Sequence, residues 1–222
     1  NTVRSNLNLG LFAFSLACWD AGSDPTATVS PRCLTAKPFR ENMFRVLRQH
    51  ASVARDYPVY AYSLGDETGL CGHGQDFCFS PTCLEFIRNH LKNVYGDLAK
   101  LNQEWDTNFT AWDQVKGLTL AEAQKNGNFA PWVDRRMAME EMYAGLLKES
   151  GDVLRKEDPD ARVGHEGIHG GKMPSCGEDS FVGYDFGKIV PRGNFWGPYF
   201  HYYPHIEFIR SFAAPNTILL TF

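Results

Sequence analysis

Short apolar runs alternate along this chain with longer segments of helical periodicity, and this alternation constrains the fold more than any other feature. Pro58 precedes one such run, and Gly residues and polar loops bound the others. Strands that alternate with helices predict an α/β fold built on a parallel sheet. The runs that we predict as strands are Leu7–Ser15, Val59–Leu64, Ala161–Glu166, Asn194–Phe200 and Thr217–Phe222.

The segments between these runs carry clear helix signals. Apolar residues recur at helical spacing over Phe39–Val53. Ser80–Pro81 predicts a helix start, because a hydroxyl N-cap is followed by proline at the first helical position. Gly96 is expected to divide the helix that follows into two pieces. A further long helix is predicted over Pro131–Glu157 and is ended by Asp158, which precedes a proline.

The number of strands suggests a barrel of which part is present. A (β/α)8 TIM barrel typically needs about 250 residues, whereas this chain has 222 and gives many of them to loops and long helices. An open parallel sheet with uncovered edges would be poorly stable alone. We therefore expect one domain over residues 1–222, an incomplete TIM-type barrel with about strands 3 to 7. The first residue, Asn1, belongs neither to an initiator methionine nor to a signal peptide, so we expect strands to be missing at both ends.

Composition excludes several classes of partner. The chain is 43% hydrophobic and 22% charged, which is typical of a globular protein. Its net charge of -4 comes without a cluster of Lys and Arg, which argues against nucleic acids and anionic membranes as partners. No run of 18 apolar residues occurs, so we expect no membrane span. The sequence leaves open whether the protein is cytoplasmic or secreted.

Two carboxylates follow the predicted strand Val59–Leu64. Gly65 is expected to end that strand, and Asp66 and Glu67 come directly after it. An acid just past the carboxyl end of a strand lies at the mouth of an α/β fold, where active sites are built. Glu67 is therefore the leading candidate for a catalytic acid. The alternative is that Asp66 and Glu67 only cap the following loop.

Other candidate substrate-binding residues follow the later strands. Glu166 ends a predicted strand and is expected to bind or orient a substrate, or to act as a second catalytic carboxylate if the strand count is different. His165 beside it is able to bond a sugar hydroxyl, or to be satisfied within the core. Tyr199 and His201 lie at the end of the strand Asn194–Phe200 and suit sugar stacking, although packing beneath the loops would equally account for them.

The cysteines allow a metal site. Cys71, Cys78 and Cys83 lie close together in the chain with His73 beside the first, a group that permits structural zinc. Their spacing is not that of a zinc finger. An even number of cysteines also permits disulfides in an oxidising compartment, so a zinc site, a disulfide in this loop and free thiols all remain open. The six cysteines are Cys18, Cys33, Cys71, Cys78, Cys83 and Cys176.

Several segments taken together resemble glycoside hydrolase family 42, the β-galactosidase-like members of the barrel clan of retaining glycosidases. The resemblance covers roughly residues 59 to 136. Its pattern is an acid-bearing strand followed by Phe, Leu, Tyr-Gly, Leu-Asn and Trp in order. The segments that carry it are Ser63–Glu67, Cys78–Cys83, Phe86–Gly96, Leu101–Thr107 and Ala130–Arg136.

This resemblance implies roles for individual residues. In the family, the acid at the end of the fourth strand is the general acid/base, which places that role on Glu67. The family usually has Asn before it, touching the sugar 2-hydroxyl, whereas this chain has Asp66. Asp66 is able to accept the same hydrogen bond, and its charge would raise the pKa of Glu67. The family nucleophile ends the seventh strand, which would place it just past Phe222.

The resemblance also bears on cofactors and partners. Relatives often bind zinc through cysteines in the loop and helix after the acid/base strand, where Cys71, Cys78 and Cys83 lie, although their spacing departs from the usual tight cluster. No cofactor is required for hydrolysis. The implied partner is a carbohydrate, with a homo-oligomer possible and neither nucleic acid nor membrane expected.

Three functions follow in order. The first is retaining hydrolysis of β-linked sugars, with β-galactosides as the expected substrates. The second is a carbohydrate-binding or scaffold module of the same fold without hydrolysis. The third is an unrelated doubly wound α/β enzyme that uses the loop of Cys71 as a metal site.

Overall fold

Five parallel strands form one sheet whose spatial order follows the chain. In the computed structural model, the structure describes residues 11–12, 28–57, 59–66, 68–70, 76, 78–168, 185–198 and 203–220. Each strand pairs in parallel with the next one along the chain. This order, with helices in every crossover, is that of a TIM barrel. The strands are β1 (Leu11–Phe12), β2 (Tyr62–Asp66), β3 (Val163–Ile168), β4 (Phe195–Pro198) and β5 (Ile218–Leu219).

Seven α-helices connect the described strands, and one of them organises the core. The long helix α5 packs against α1, α2 and β3, and its buried face includes Tyr143, Leu147 and Leu154. Two short 3-10 helices cover 112–114 and 190–192. The helices are α1 (Lys37–Ala54), α2 (Pro81–Tyr95), α3 (Leu98–Trp105), α4 (Leu120–Asn126), α5 (Ala130–Glu157), α6 (Phe186–Ile189) and α7 (Tyr203–Phe212).

The predicted helix boundaries are confirmed closely. The Ser80 hydroxyl accepts a hydrogen bond from the Cys83 amide at the start of α2. Gly96 ends α2 with a φ of 78°, a conformation that favours glycine, and so separates α2 from α3. Helix α5 begins one residue before the predicted Pro131 and ends at Glu157 as predicted.

Strand β2 differs from its prediction, which ended the strand before Gly65. The strand runs from Tyr62 through Gly65 to Asp66. Gly65 has a φ of 137°, and the register against β3 shifts between Ser63 and Asp66. The Ser63 hydroxyl donates to the Gly65 carbonyl and accepts from the Gly65 amide, both at 3.2 Å. Gly65 therefore forms a β-bulge within the strand instead of ending it.

Strands β3 and β4 approach each other closely at a glycine. A Cβ placed on Gly164 would lie 1.5 Å from the carbonyl oxygen of Phe195. Only glycine allows this pairing. The strand-facing side of the core contains the fully buried Trp196, as the sequence predicts for a tryptophan within a strand. Among the described helices, none combines the length and apolar character needed to cross a membrane.

Candidate functional site

The structure brings two of the predicted acids to the same edge of the sheet. Asp66 is the last residue of β2 and its side chain is exposed, whereas Glu166 in β3 is half-buried. The two residues are direct partners across the β2–β3 ladder. Both lie near the carboxyl ends of parallel strands, where the active sites of barrels are formed.

Each of these two strands is irregular where it carries its acid. The register shift in β2 precedes Asp66, and a second shift in β3 follows Glu166 and includes Gly167, with a φ of 56°. Bulges beside active sites change the direction of the side chains next to them. Glu67, which follows Asp66, lies outside the described residues, as do Tyr199, His201 and Cys71.

His165 lies in the core and not at the open edge. Its side chain is 1% exposed, and along a strand it points to the opposite face from Glu166. Its ring stacks on Tyr143 of α5, with centroids 5.9 Å apart, and is tilted against Trp196 of β4. Burial lowers the pKa of His165 to about 3, so the ring is neutral at physiological pH. This placement favours the core alternative over direct contact with a sugar.

Thr68 connects His165 to the segment that carries the candidate acid. The Thr68 hydroxyl oxygen lies 2.9 Å from His165 Nδ1 and 2.7 Å from the Tyr143 hydroxyl. Thr68 is fully buried and directly follows Glu67 in the chain. Sequence reasoning missed Thr68 and Tyr143, since neither residue stands in a recognisable motif.

Three buried cysteines form a compact cluster beside the start of α2. The thiols of Cys33, Cys78 and Cys83 lie within 4.8 Å of one another and no disulfide joins them. Cys78 and Cys83 belong to the predicted set. Cys33 was not predicted to join them, because it lies 50 positions before Cys83 and only folding brings the two sulfur atoms to 3.5 Å.

The chemistry of this cluster fits zinc. Tetrahedral Zn²⁺ holds sulfur ligands at about 2.3 Å, which places neighbouring sulfurs roughly 3.8 Å apart. The Ser30 amide contacts Cys78 Sγ at 3.5 Å, and the Ser80 hydroxyl contacts Cys33 Sγ at 3.1 Å. Such contacts orient and stabilise thiolates. Hydrogen bonds with the thiols of Cys78 and Cys83 also lower the pKa of Cys33. The three thiols would hold the metal, and a fourth ligand would come from elsewhere in the chain.

Metal removal tests this cluster without any activity assay. We predict that the purified full-length protein retains one Zn²⁺ at these thiols after dialysis, and that Cys33→Ser loses it. Because structural zinc contributes directly to folding free energy, a chelator is expected to lower the melting temperature of the wild type by several degrees. Chelator already saturated with zinc is the control and should change nothing. Metal-free protein whose melting temperature ignores the chelator would show that the thiols are only packed together.

A buried ion pair fixes the loop between β2 and α2. Arg135 of α5 is fully buried and bonds to Asp76 of that loop. Asp76 also accepts from the Trp132 indole at 3.2 Å and from the Leu120 amide, at the first turn of α4, at 2.5 Å. The guanidinium group of Arg135 lies over the Phe79 ring, 4.5 Å from its centroid. The loop after the candidate acid is therefore tied to α4 and α5.

The comparisons with known proteins agree on one family. A family model described as β-galactosidase, glycoside hydrolase family 42, matches residues 23–189. The β-galactosidase BgaA of Planococcus sp. strain SOS Orange is 23% identical over 137 residues, 57% of this chain and 19% of that protein. The β-galactosidase BgaP of Planococcus sp. strain L4 is 22% identical over 141 residues, 59% of this chain and 20% of that protein.

Solved structures share the fold. The β-galactosidase of Bacillus circulans sp. alkalophilus superposes with a TM-score of 0.63 at 17% identity, over 86% of this chain and 29% of that one. An exo-carrageenase of family 42 from Bacteroides ovatus gives 0.65 at 19% identity, over 86% and 27%. These likenesses confirm the predicted barrel type with part of its strands. Together with the family match over most of its length, they show that the chain belongs to the β-galactosidase family, glycoside hydrolase family 42.

Proposed function

We propose that this chain supplies the acid/base half of the active site of a retaining glycosidase that cleaves β-galactosides. The observation that carries the proposal is the pairing of Asp66 with Glu166 at the carboxyl edge of the sheet, with Glu67 next in the chain. The family membership supports glycoside hydrolysis, and the names of the curated relatives support galactosides as substrates.

The mechanism needs two carboxyl groups about 5 to 5.5 Å apart. In our proposal Glu67 protonates the oxygen of the leaving group and then, as a carboxylate, removes a proton from the water that attacks the glycosyl intermediate. A second carboxylate attacks the anomeric carbon. Chain order along the barrel places that nucleophile after β5, at a residue beyond Phe222.

The neighbouring residues have separate proposed roles. Asp66 accepts a hydrogen bond from the sugar 2-hydroxyl, and its charge favours the protonated form of Glu67. Glu166 orients the sugar from β3, at the same edge of the sheet. Tyr199 and His201 are proposed to stack on the sugar and to bond its hydroxyls. Structural zinc at Cys33, Cys78 and Cys83 would hold the loop and α2 together near this edge, and assembly into a homo-oligomer is compatible with these roles.

Substrate class and stereochemistry test the proposal in one experiment. We expect the full-length protein to hydrolyse nitrophenyl β-galactoside faster than the corresponding glucoside, xyloside or α-galactoside. Proton NMR during hydrolysis should show the β-anomer of galactose first, because two displacements retain the configuration. First formation of the α-anomer would contradict the retaining mechanism.

A second candidate function uses the same fold without chemistry. A carbohydrate-binding module would bind galactosides in a calorimetric titration and hydrolyse none of the glycosides in the panel. Complete inactivity of the full-length protein, with binding retained, would favour that function over the glycosidase.

A further inference from the structure

We propose that Thr68, Tyr143 and His165 form a hydrogen-bonded brace that positions the segment carrying Glu67 against β3 and α5. The inference rests on the proposed function, since it assigns positioning residues to the same acid. None of the three residues would touch the substrate. Their role would be to hold the acid where it meets the oxygen of the leaving group.

The three polar groups form a ring. The hydroxyl oxygen of Thr68 lies 2.7 Å from the hydroxyl of Tyr143 and 2.9 Å from Nδ1 of His165, and Tyr143 closes the ring with a longer contact of 3.5 Å to His165 Nε2. The exposed fractions of the side chains of Thr68, Tyr143 and His165 are 0%, 0% and 1%. Water therefore competes little with these hydrogen bonds.

Each group in the ring is able to donate one hydrogen bond and accept one. With the proton on Nδ1, His165 donates to Thr68, Thr68 to Tyr143, and Tyr143 to Nε2. With the proton on Nε2, all three bonds run the other way. Both arrangements need the neutral imidazole, because an imidazolium has two donors and no acceptor. The buried ring of His165 is neutral, as its lowered pKa indicates.

The brace is anchored in rigid elements. His165 lies in the middle of β3, where it pairs with Trp196 of β4, and its ring contacts the ring of that residue. Tyr143 lies near the centre of the 28-residue helix α5 and stacks on the other side of the imidazole. The only described rings and polar groups that contact His165 belong to Thr68, Tyr143 and Trp196, none of which is charged.

Chain connectivity transmits this anchoring to Glu67. On one side, Asp66 is held in the ladder against Glu166 of β3. On the other side, Thr68 is held by His165 of the same strand. Consecutive Cα atoms are only about 3.8 Å apart, so both neighbours of Glu67 are fixed to β3. Displacement of a catalytic group by about 1 Å is able to cost roughly 100-fold in rate.

The test compares two substitutions of Thr68 in the full-length protein. Thr68→Val keeps the shape and removes the hydroxyl, whereas Thr68→Ser keeps the hydroxyl. We expect Thr68→Val to lower kcat on an alkyl galactoside about 10- to 100-fold, with KM changed less than about threefold. On dinitrophenyl galactoside, whose leaving group needs little protonation, the loss should be several times smaller. Thr68→Ser should stay within about threefold of wild type on both substrates.

Two tyrosines extend this test and keep it decisive if Thr68→Val does not fold. Tyr143→Phe removes one hydroxyl of the ring and should show the same dependence on leaving group. Tyr62→Phe is the matched control, because it removes another buried tyrosine hydroxyl, 2.8 Å from Asp158, on the strand that leads to Glu67. The control is expected to lose stability without altering the dependence on leaving group.

The possible outcomes separate the brace from the function. If wild type is active and depends on Glu67, but Thr68→Val and Tyr143→Phe slow both substrates equally or neither, the brace is wrong while the proposed function stands. If wild type hydrolyses no glycoside, the proposed function fails and takes the brace with it. Recovery in Thr68→Ser together with selective loss in Thr68→Val and Tyr143→Phe would support the brace.

Discussion

Replacement of Glu67 by glutamine is expected to reduce hydrolysis of galactosides with poor leaving groups by a factor of about 100 to 10,000. This range is typical of losing a general acid that donates a proton in the transition state. Glutamine keeps the size and hydrogen-bonding ability of the side chain but is unable to transfer the proton. Steady-state kinetics on an alkyl galactoside and on dinitrophenyl galactoside would measure the effect, which should be much smaller on the activated substrate.

Asp66→Asn is the matched control, since it makes the same chemical change one residue earlier. It also restores the residue usual in the family at this position. Without the charge of Asp66, the pKa of Glu67 should fall, so the basic limb of the pH profile of kcat/KM should move to lower pH. We expect Asp66→Asn to retain far more activity than Glu67→Gln. Equal losses in the two variants would mean that Glu67 has no special role in proton transfer.

Replacement of Asp76 by alanine is expected to destabilise the barrel segment by about 3 to 5 kcal/mol, the usual cost of leaving a buried charge without its partner. Arg135 is fully buried, and its ion pair is made with an aspartate side chain that is 9% exposed. The substitution also removes the acceptor for the amide of Leu120 at the start of α4. Urea unfolding would measure the loss, and hydrogen exchange should show faster opening over 120–135.

A surface ion pair supplies the control for Asp76. Lys148 and Asp152 on α5 lie 2.7 Å apart with side chains 61% and 48% exposed. Exposed pairs contribute about 0 to 1 kcal/mol, so Asp152→Ala should change stability little. Equal effects of Asp76→Ala and Asp152→Ala would show that the loop does not depend on the buried pair. Asp76→Asn, which keeps an acceptor, is expected to fall between the two.

The order of elements was predictable because each element carries its signal locally. Ser80 and Gly96 mark the two ends of α2 by hydrogen-bonding capacity and backbone freedom, which depend on neighbouring residues alone. The alternation of strands and helices then leads to a parallel sheet. Gly65 shows where local reasoning fails, because a glycine that usually ends a strand is here held within β2 by Ser63 and by pairing with β3.

The site was predictable only in part, because its contacts join distant parts of the chain. The pairing of Asp66 with Glu166 follows from parallel strands whose ends meet at one edge. Thr68 and His165 lie 97 positions apart, and Cys33 and Cys83 lie 50 apart. No periodicity or spacing reports such contacts. His165 illustrates the consequence, since its position beside an acid suggested sugar binding, while alternation along the strand places it in the core.

The measurement that tests the central claim most directly is rescue of the Glu67→Gln variant by azide. The variant of the full-length protein would be incubated with dinitrophenyl β-galactoside, with and without azide, and the products identified. If Glu67 is the acid/base, the glycosyl intermediate accumulates without a base to activate water, and azide should accelerate turnover and yield β-galactosyl azide. A variant that turns over at the wild-type rate and gives only galactose in azide would contradict the assignment of Glu67.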